Sequence, residues 1–270
     1  MAGMPDPLTD LPPPSRFDPE DLNSFALGPE SVEISPPFIV WAPSMKKLLQ
    51  SGVLQPSLLL LSQSNVGAHL LHNLPGKRII GSIIFPDISM VNNFVEPSPH
   101  NKECYLFAVD SDASVVLVSA QYSISPEHSS LWTKTVFKAI QPSRVLILGT
   151  IASQHFRGKL SADDPLLFIL ETDEQKSEDK DQVAVAPFFP SGSLVDGVAA
   201  ALITHCQIQG QKACLLMSWP DTNMSVLRLL VSAITTLIHR AIPHTSALNF
   251  MVAREATEKR RIQSDSELYV

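Results

Sequence analysis

Residues 194–239 read LVDGVAAALITHCQIQGQKACLLMSWPDTNMSVLRLLVSAITTLIH, and this stretch decides the fold class. Residues 194–208 have the composition and length of a buried helix, and Ser193 is placed to cap its first turn. The apolar run 213–217 follows, and residues 225–239 then return to helical spacing. A short apolar run between two helices predicts a buried strand, an order that is typical of α/β proteins.

The same alternation extends toward the N-terminus. Residues 126–140 form a helical pattern, with Ser125 as the N-cap and Pro126 at the first helical position, and the apolar run 144–148 comes next. Earlier apolar runs are continuous rather than alternating, which predicts strands covered on both faces; they are residues 57–61 and 79–85. We therefore predict an α/β fold, a three-layer α/β/α sandwich around a central, mostly buried sheet.

Two further segments carry specific predictions. Residues 110–112, Asp-Ser-Asp, separate the apolar runs 105–109 and 114–118. Such a short polar link predicts an antiparallel hairpin. Residues 171–181, ETDEQKSEDKD, are dense in charge and lie between apolar segments. We interpret them as a solvated surface loop, with an acidic patch for a partner as the alternative.

Composition excludes several functional classes. The chain has 270 residues, a net charge of −7 and no broad basic stripe, so we expect no nucleic acid as a partner. No apolar run reaches the roughly 18–20 residues that a membrane span needs. Residues 1–6 lack the cationic and apolar regions of a secretory signal. Three cysteines in apolar surroundings indicate buried thiols in a reducing compartment, so we expect a soluble cytoplasmic protein, with nuclear entry left open.

The sequence divides into three parts. Residues 1–36 are rich in Pro, Asp and Ser and predict a disordered segment, because they bury too little apolar surface to offset the entropy lost on ordering. Residues 37–252 form a single α/β domain with the charged loop 171–182. Residues 253–270 form a tail in which a charged stretch and a polar, flexible spacer precede the last three residues.

We find no convincing catalytic, cofactor or metal site in the sequence. The chain has 11 glycines, and none stands in a spacing that would cradle a phosphate. Asn65-Val66-Gly67 follows a strand and could open a helix, but one glycine there is a weak signal for a ligand loop. A zinc site needs about four converging ligands, and the nearest approach is His205, Cys206 and Cys214. We interpret these as core thiols and a partly exposed histidine.

The last three residues are the strongest functional signal. Leu268 can fill an apolar crevice, and Tyr269 can bury its ring while its hydroxyl forms a hydrogen bond. Val270 would then supply a terminal carboxylate that a lysine of a partner can pair with. The alternative is a frayed end whose sequence has no function. A polar spacer before these residues favours the docking interpretation.

On these residues the chain resembles the proteasome assembly chaperone 1 family. The helix and strand of residues 199–217 are similar to the corresponding segment of that family, and so is the ending with Ile262-Gln263-Ser264 before the last three residues. The last three residues match the hydrophobic-tyrosine-any (HbYX) motif that enters pockets between α-subunits of the 20S core particle. The resemblance is clearest over the C-terminal third and is looser from about residue 38 onward.

The resemblance implies a non-enzymatic chaperone that helps the 20S proteasome α-ring to form, as a heterodimer with proteasome assembly chaperone 2. It implies that Leu268 is the apolar plug, Tyr269 the aromatic anchor and Val270 the carboxylate donor. Two other functions stay open. One is a hydrolase- or phosphorylase-like enzyme with a site near Asn65 or near Ser191-Gly192-Ser193. The other is an interaction module whose tail is captured by a different carboxylate-binding domain.

Overall fold

Eight strands and five α-helices make up the computed structural model, which describes residues 35–47, 49, 52–91, 93–94, 98, 101–161, 164–178, 182–221, 225–242, 254–256 and 258–259. The strands are β1 (Phe38–Trp41), β2 (Leu58–Ser62), β3 (Arg78–Ile84), β4 (Cys104–Ala108), β5 (Val115–Ala120), β6 (Arg144–Thr150), β7 (Leu166–Glu171) and β8 (Lys212–Trp219). The helices are α1 (Asn65–His72), α2 (Pro126–Ala139), α3 (Asp173–Glu178), α4 (Gly197–Ile208) and α5 (Ser225–Ala241).

All eight strands belong to one mixed sheet, in the order β1-β3-β4-β5-β2-β6-β8-β7. The four strands β5, β2, β6 and β8 run parallel, whereas β1, β3, β4 and β7 are joined antiparallel to their neighbours. Strand β2 lies in the middle, and every one of its residues is buried. Its run of four leucines suits this position, because a strand of a parallel sheet is covered on both faces.

Helices cover both faces of the sheet and create two hydrophobic clusters. The first cluster lies under α2 and α4 and includes Trp132 and Leu202. The second lies under α1 and α5 and includes Leu70 and Leu230. The predicted α/β class and three-layer arrangement are therefore confirmed. The proline-rich segment up to residue 34 and the last eleven residues, 260–270, lie outside the described residues, and the boundaries proposed at 36 and 252 stay predictions.

The hairpin and all three predicted helices are present, two of the helices within two residues of their predicted bounds. Strands β4 and β5 pair antiparallel, and the Asp110 carboxylate closes their link by accepting a hydrogen bond from the Ser114 amide at 2.8 Å. Helix α2 begins at Pro126 and ends one residue earlier than predicted. Its N-cap Ser125 is extended, but the Ser125 side chain does not bond to the backbone of the first turn; its hydroxyl instead lies 2.6 Å from the side-chain Nδ1 of His128 in that turn. Helix α5 extends two residues beyond its predicted end.

For the helix predicted over residues 194–208, the predicted start is wrong. Helix α4 begins at Gly197 and not at residue 194, and Asp196 rather than Ser193 is its N-cap residue. The reason is a set of contacts with the segment after β6. The Leu194 amide donates to the His155 carbonyl at 2.9 Å, and the Ser193 hydroxyl accepts from the Arg157 amide at 2.8 Å. These bonds hold the chain extended, and the Leu194 side chain stays 65% exposed.

The charged segment 171–181 is not one surface loop. Glu171 ends β7, and residues 173–178 form the short helix α3. The Thr172 hydroxyl fastens the segment to β8, since it accepts a hydrogen bond from the Ala213 amide at 3.0 Å. Glu178 then reaches the guanidinium of Arg144 at 2.5 Å and the ammonium of Lys212 at 3.3 Å. Strand ends and neighbouring basic side chains therefore order a charged sequence that resembles a loop.

Candidate functional site

The predicted docking residues Leu268, Tyr269 and Val270 lie outside the described residues. The described part of the chain contains two other features that could bind a partner or a ligand. One is a cavity at the carboxyl ends of the parallel strands. The other is an uncovered face of the sheet on β1 and β3.

The cavity lies where β2 meets its two parallel neighbours. It has a volume of about 220 Å³ and is lined at the strand ends by Gln63, Ala120 and Thr150. Helix α1, which follows β2, packs on one face of the sheet, and α2, which follows β5, packs on the other. Helices that diverge to opposite faces leave a crevice at the carboxyl ends, which is the usual place for a ligand in a sheet of this kind.

The N-terminus of α1 faces this cavity, but a carboxylate of the chain itself already binds the first amide of the helix. Asp221 Oδ2 accepts hydrogen bonds from the Asn65 amide at 3.2 Å and from the Asn65 side-chain amide at 2.8 Å. The Ser64 hydroxyl accepts from the Gly67 amide at 3.0 Å. A helix N-terminus attracts anions because its first amides are unpaired. Here those amides are capped by the protein's own groups.

Burial governs the charge of Asp221. Burial raises the pKa of this carboxyl above its usual value, and hydrogen bonds from Asn65 and from the Val66 amide oppose that rise. The Asp196 carboxylate also lines the cavity, and its Oδ2 lies 2.9 Å from Nδ1 of His155. Within the described segments, Asp196 is the partner of the His155 ring, and no hydroxyl or thiol bonds to its Nδ1. The cavity therefore holds two carboxylates, and the histidine paired with one of them activates no nucleophile among the described residues.

Gly67 has a packing role at this position. A Cβ added there would lie 2.5 Å from Ser62 Oγ and 2.7 Å from Ser64 Oγ. The absence of a side chain thus lets α1 approach the end of β2 closely. Close packing therefore accounts for the presence of a glycine at this position, which in the sequence is a weak signal for a ligand loop. Ser191-Gly192-Ser193, the other suggested site, supplies the hydroxyl that holds Arg157 and does not line the cavity.

The three cysteines are buried, and none of them forms a disulfide. Cys206 belongs to the cluster under α2 and α4, whereas Cys214 points to the opposite face of the sheet. Burial raises the pKa of both the Cys104 and the Cys206 thiol to about 12, so these thiols stay protonated near neutral pH. Across the described residues, no three His, Cys, Asp or Glu side chains come close enough to hold a metal ion.

The uncovered face consists of the outward side chains of Phe38, Val40, Ile79 and Ile84, and we call it the open face. Two helices pack on this side of the sheet: α1 lies on β2 and β5, and α5 lies on β7 and β8. They leave this side of β1 and β3 open. Phe38 is 49% exposed and Val40 is 48% exposed. The expectation that the apolar run 79–85 is covered on both faces is therefore wrong for β3, and β1, beside it, is open on the same face.

A loop next to the open face displays one more aromatic ring. Phe94 is 62% exposed, and its backbone is held by the buried Asn101. The Asn101 side chain accepts from the Phe94 amide at 2.8 Å and donates to the Phe94 carbonyl at 3.0 Å. It also donates to the Tyr105 hydroxyl at 2.6 Å. Tyr105 is opposite Ser82 on β3, which is opposite Val40 on β1.

Comparison with known proteins gives sequence relatives and shared folds. No protein-family model matches the chain. It is 21% identical over 175 residues to proteasome assembly chaperone 1 of Xenopus laevis, covering 63% of this chain and 57% of that protein. This chain is similar to proteasome assembly chaperone 1. It is also 23% identical over 222 residues to proteasome assembly chaperone 1 of Nematostella vectensis, covering 78% of this chain and 84% of that protein. The resemblance predicted from the sequence is thus confirmed.

Solved structures share the fold at low sequence identity. PbaA of Pyrococcus furiosus, described as an archaeal homolog of proteasome-assembly chaperone, matches with a TM-score of 0.57 and 13% identity, over 86% of this chain and 95% of that one. A Thermoplasma acidophilum protein of unknown function matches with a TM-score of 0.55 and 12% identity, over 83% and 91%. PbaB of Pyrococcus furiosus, an archaeal proteasome activator, has a TM-score of 0.52 and 13% identity, over 86% and 99%. This likeness concerns the fold alone.

Proposed function

We propose that this chain is a non-enzymatic chaperone that promotes assembly of the 20S proteasome α-ring, as a heterodimer with proteasome assembly chaperone 2. The observation that carries the proposal is the sequence similarity to two proteins named proteasome assembly chaperone 1. The chain spans 57% of the length of the first of these relatives, so its partners and its activity are both part of the proposal. We place the activity in the cytoplasm, and fractionation of cells with a tagged chain tests that location and entry into the nucleus.

In this proposal the chain docks through Leu268-Tyr269-Val270 into a pocket between two α-subunits. The chemistry supports such docking, since an apolar side chain, an amphipathic ring and a carboxylate offer three different contacts within three residues. The charged and polar residues before them supply the reach. Two tails on one heterodimer would raise the effective concentration of the second tail, so weak docking of each one would still hold the complex.

A binding experiment on the α-ring tests the tail. The 270-residue chain is mixed with α-subunits, and the bound fraction is measured for Tyr269→Ala and for a variant with one extra residue after Val270. We expect both changes to reduce binding at least about tenfold, because one removes the ring and the other displaces the carboxylate. Glu267→Ala is the matched control and should bind as the wild type does. Unchanged binding of both tail variants, with unchanged circular dichroism, would reject the docking role.

The enzyme alternative rests on one observation, the cavity of about 220 Å³ at the carboxyl ends of the parallel strands. Its anion-attracting helix end is already satisfied by Asp221, which disfavours a phosphate or a nucleotide as ligand. Titration of the 15N-labelled protein with inorganic phosphate and with a nucleoside tests this directly. Saturable shifts at the amides of Asn65 and Thr150 would favour the enzyme over the chaperone.

A further inference from the structure

The two edge strands of the sheet, β7 and β1, differ in whether their outward backbone amides and carbonyls form hydrogen bonds. At the β7 edge, the Ile169 amide donates to the Pro187 carbonyl at 2.9 Å, and the Phe189 amide donates to the Ile169 carbonyl at 3.0 Å. Residues 187–189 thus cover the middle of that edge. Covering an edge in this way prevents another chain from pairing with it. At the β1 edge, the Thr135 hydroxyl of α2 donates to the Pro37 carbonyl just before the strand at 3.1 Å, but within the described residues no segment pairs with β1 itself.

The register shows which groups of β1 point outward. The Ala42 amide donates to the Ile80 carbonyl at 2.8 Å, and Val40 lies opposite Ser82 in the same antiparallel ladder. Because hydrogen-bonded and non-hydrogen-bonded residues alternate in such a ladder, the amides and carbonyls of Ile39 and Trp41 point away from β3. Among the residues that the structure describes, none forms a hydrogen bond to those outward groups.

Strand β1 itself carries neither of the two side-chain features that usually block an exposed edge. Its four residues, FIVW, include no charged residue and no proline. Pro37 comes just before the strand and Pro43 two residues after it, and neither can donate a backbone hydrogen bond. The free edge is therefore about four residues long. Such a length suits the addition of a single short strand and disfavours the open-ended pairing that leads to aggregation.

The open face supplies apolar area beside this edge. A phenylalanine buries about 150–250 Å² in a core or interface, and Phe38 and Phe94 are 49% and 62% exposed. Together the two rings thus expose on the order of 200 Å², to which Val40 and the partly exposed Ile79 and Ile84 add. A stable interface buries about 800 Å² on each partner, with an apolar centre and a polar rim. The open face and the neighbouring Phe94 ring together have the apolar and aromatic character of such a centre.

We propose that the open face and the outward edge of β1 form the surface on which the second chaperone subunit docks. The partner adds an extended apolar strand beside Ile39 and Trp41 and packs its side chains on Phe38 and Val40. Backbone hydrogen bonds then provide affinity, and the apolar pockets provide specificity. This inference rests on the proposed heterodimer and assigns a surface to it.

Variants of the open face, made in the 270-residue chain, test the assignment. Phe38→Ser combined with Val40→Lys is co-expressed with proteasome assembly chaperone 2 of the same organism, and the complex is measured by calorimetry and by size exclusion with mass determination. We expect the double variant to raise the Kd at least about 30-fold, because it removes two anchors and places a charge on the edge. Ile208→Lys is the matched control, since Ile208 is 74% exposed on α4 at the opposite face. It should change the Kd less than about twofold.

Amide exchange tests the added strand separately. In the complex, the amides of Ile39 and Trp41 should exchange at least about tenfold more slowly than in the free chain, because they gain partners. The amides of Phe38 and Val40 already bond to β3 and should change less.

The outcomes separate the two proposals. A wild-type chain that does not bind chaperone 2 rejects the heterodimer itself. A wild-type chain that binds, together with a double variant that binds equally well, rejects the open face and leaves the heterodimer intact. Self-association of the wild type that the double variant loses, without any change in chaperone 2 binding, would assign the face to a second copy and would also overturn the inference. Tyr269→Ala should leave the heterodimer unchanged, because the tail serves the α-ring.

Discussion

Strands β1 and β2 are both short, uninterrupted apolar runs, yet the fold uses them differently. The leucines of β2 are at most 1% exposed and contribute alternately to the two hydrophobic clusters. In β1, Ile39 and Trp41 pack on the core while Phe38 and Val40 stay about half exposed. Apolar composition therefore makes burial favourable, but the place of a strand in the sheet decides how many of its faces are covered.

The largest difference in the free energy of unfolding is expected between a substitution in β2 and one in β1. Leu60→Ala removes a side chain that is 0% exposed, so the free energy of unfolding should fall by about 2–5 kcal/mol. Val40→Thr changes a half-exposed β-branched residue and should stay within about 0.5 kcal/mol. Urea unfolding with linear extrapolation measures both. Equal losses at the two positions would mean that the open face is covered in the isolated protein.

A smaller loss is expected where α1 joins the covered half. Gly67→Ala introduces a Cβ at 2.5 Å from Ser62 Oγ, and this overpacking should cost about 1–3 kcal/mol. In an unconstrained helix interior the same change gains about 1 kcal/mol, so the sign alone is informative. The double variant Ser62→Ala/Gly67→Ala should recover part of the loss, and strict additivity of the two changes would contradict the contact.

Removal of the α1 cap is expected to cost about 1 kcal/mol. Ser64→Ala eliminates the hydrogen bond that the hydroxyl accepts from the Gly67 amide. Ser125→Ala is the matched control, because Ser125 also precedes a helix but its side chain does not cap the backbone. Thermal unfolding of both variants decides the point. If Ser125→Ala lowers the unfolding temperature as much as Ser64→Ala does, the two hydroxyls stabilise their helices equally and the cap at Ser64 has no special role.

The smallest effect is a pH dependence at Asp221. Because burial raises the pKa of this carboxyl above 3.8, the folded chain holds the proton more tightly than the unfolded chain does. The stabilisation is therefore present below the unfolded pKa and is lost as the pH rises through the raised pKa. Asp221→Asn removes that loss, so its stability relative to the wild type should increase with pH. Unfolding midpoints measured from pH 3 to 7 test this. If the stability of the variant relative to the wild type falls as the pH rises, the favourable interaction of the Asp221 carboxylate with the helix N-terminus outweighs the cost of its burial.

Local patterns predicted much of the fold. Apolar periodicity, Pro126 and the Asp110 turn identified α2, α5 and the β4–β5 hairpin within a few residues. The errors lie where distant segments act. The start of α4 depends on bonds to residues 155–157, and the order of residues 171–178 depends on β8 and on basic side chains. In the cavity, Asn65 and Asp221 meet across 156 positions, a separation that no local pattern contains.

The sequence by itself determined the α/β class and the resemblance to proteasome assembly chaperone 1, and its prediction that the tail Leu268-Tyr269-Val270 is a docking site stays a prediction. These follow from periodicity, composition and short motifs, which act over a few residues. Only the tertiary structure decided that Asp221 caps α1 and that β1 lies at an edge with Phe38 and Val40 uncovered. Strand order and helix placement arise from contacts between distant parts of the chain, so the face that a strand leaves open cannot be read from its own residues.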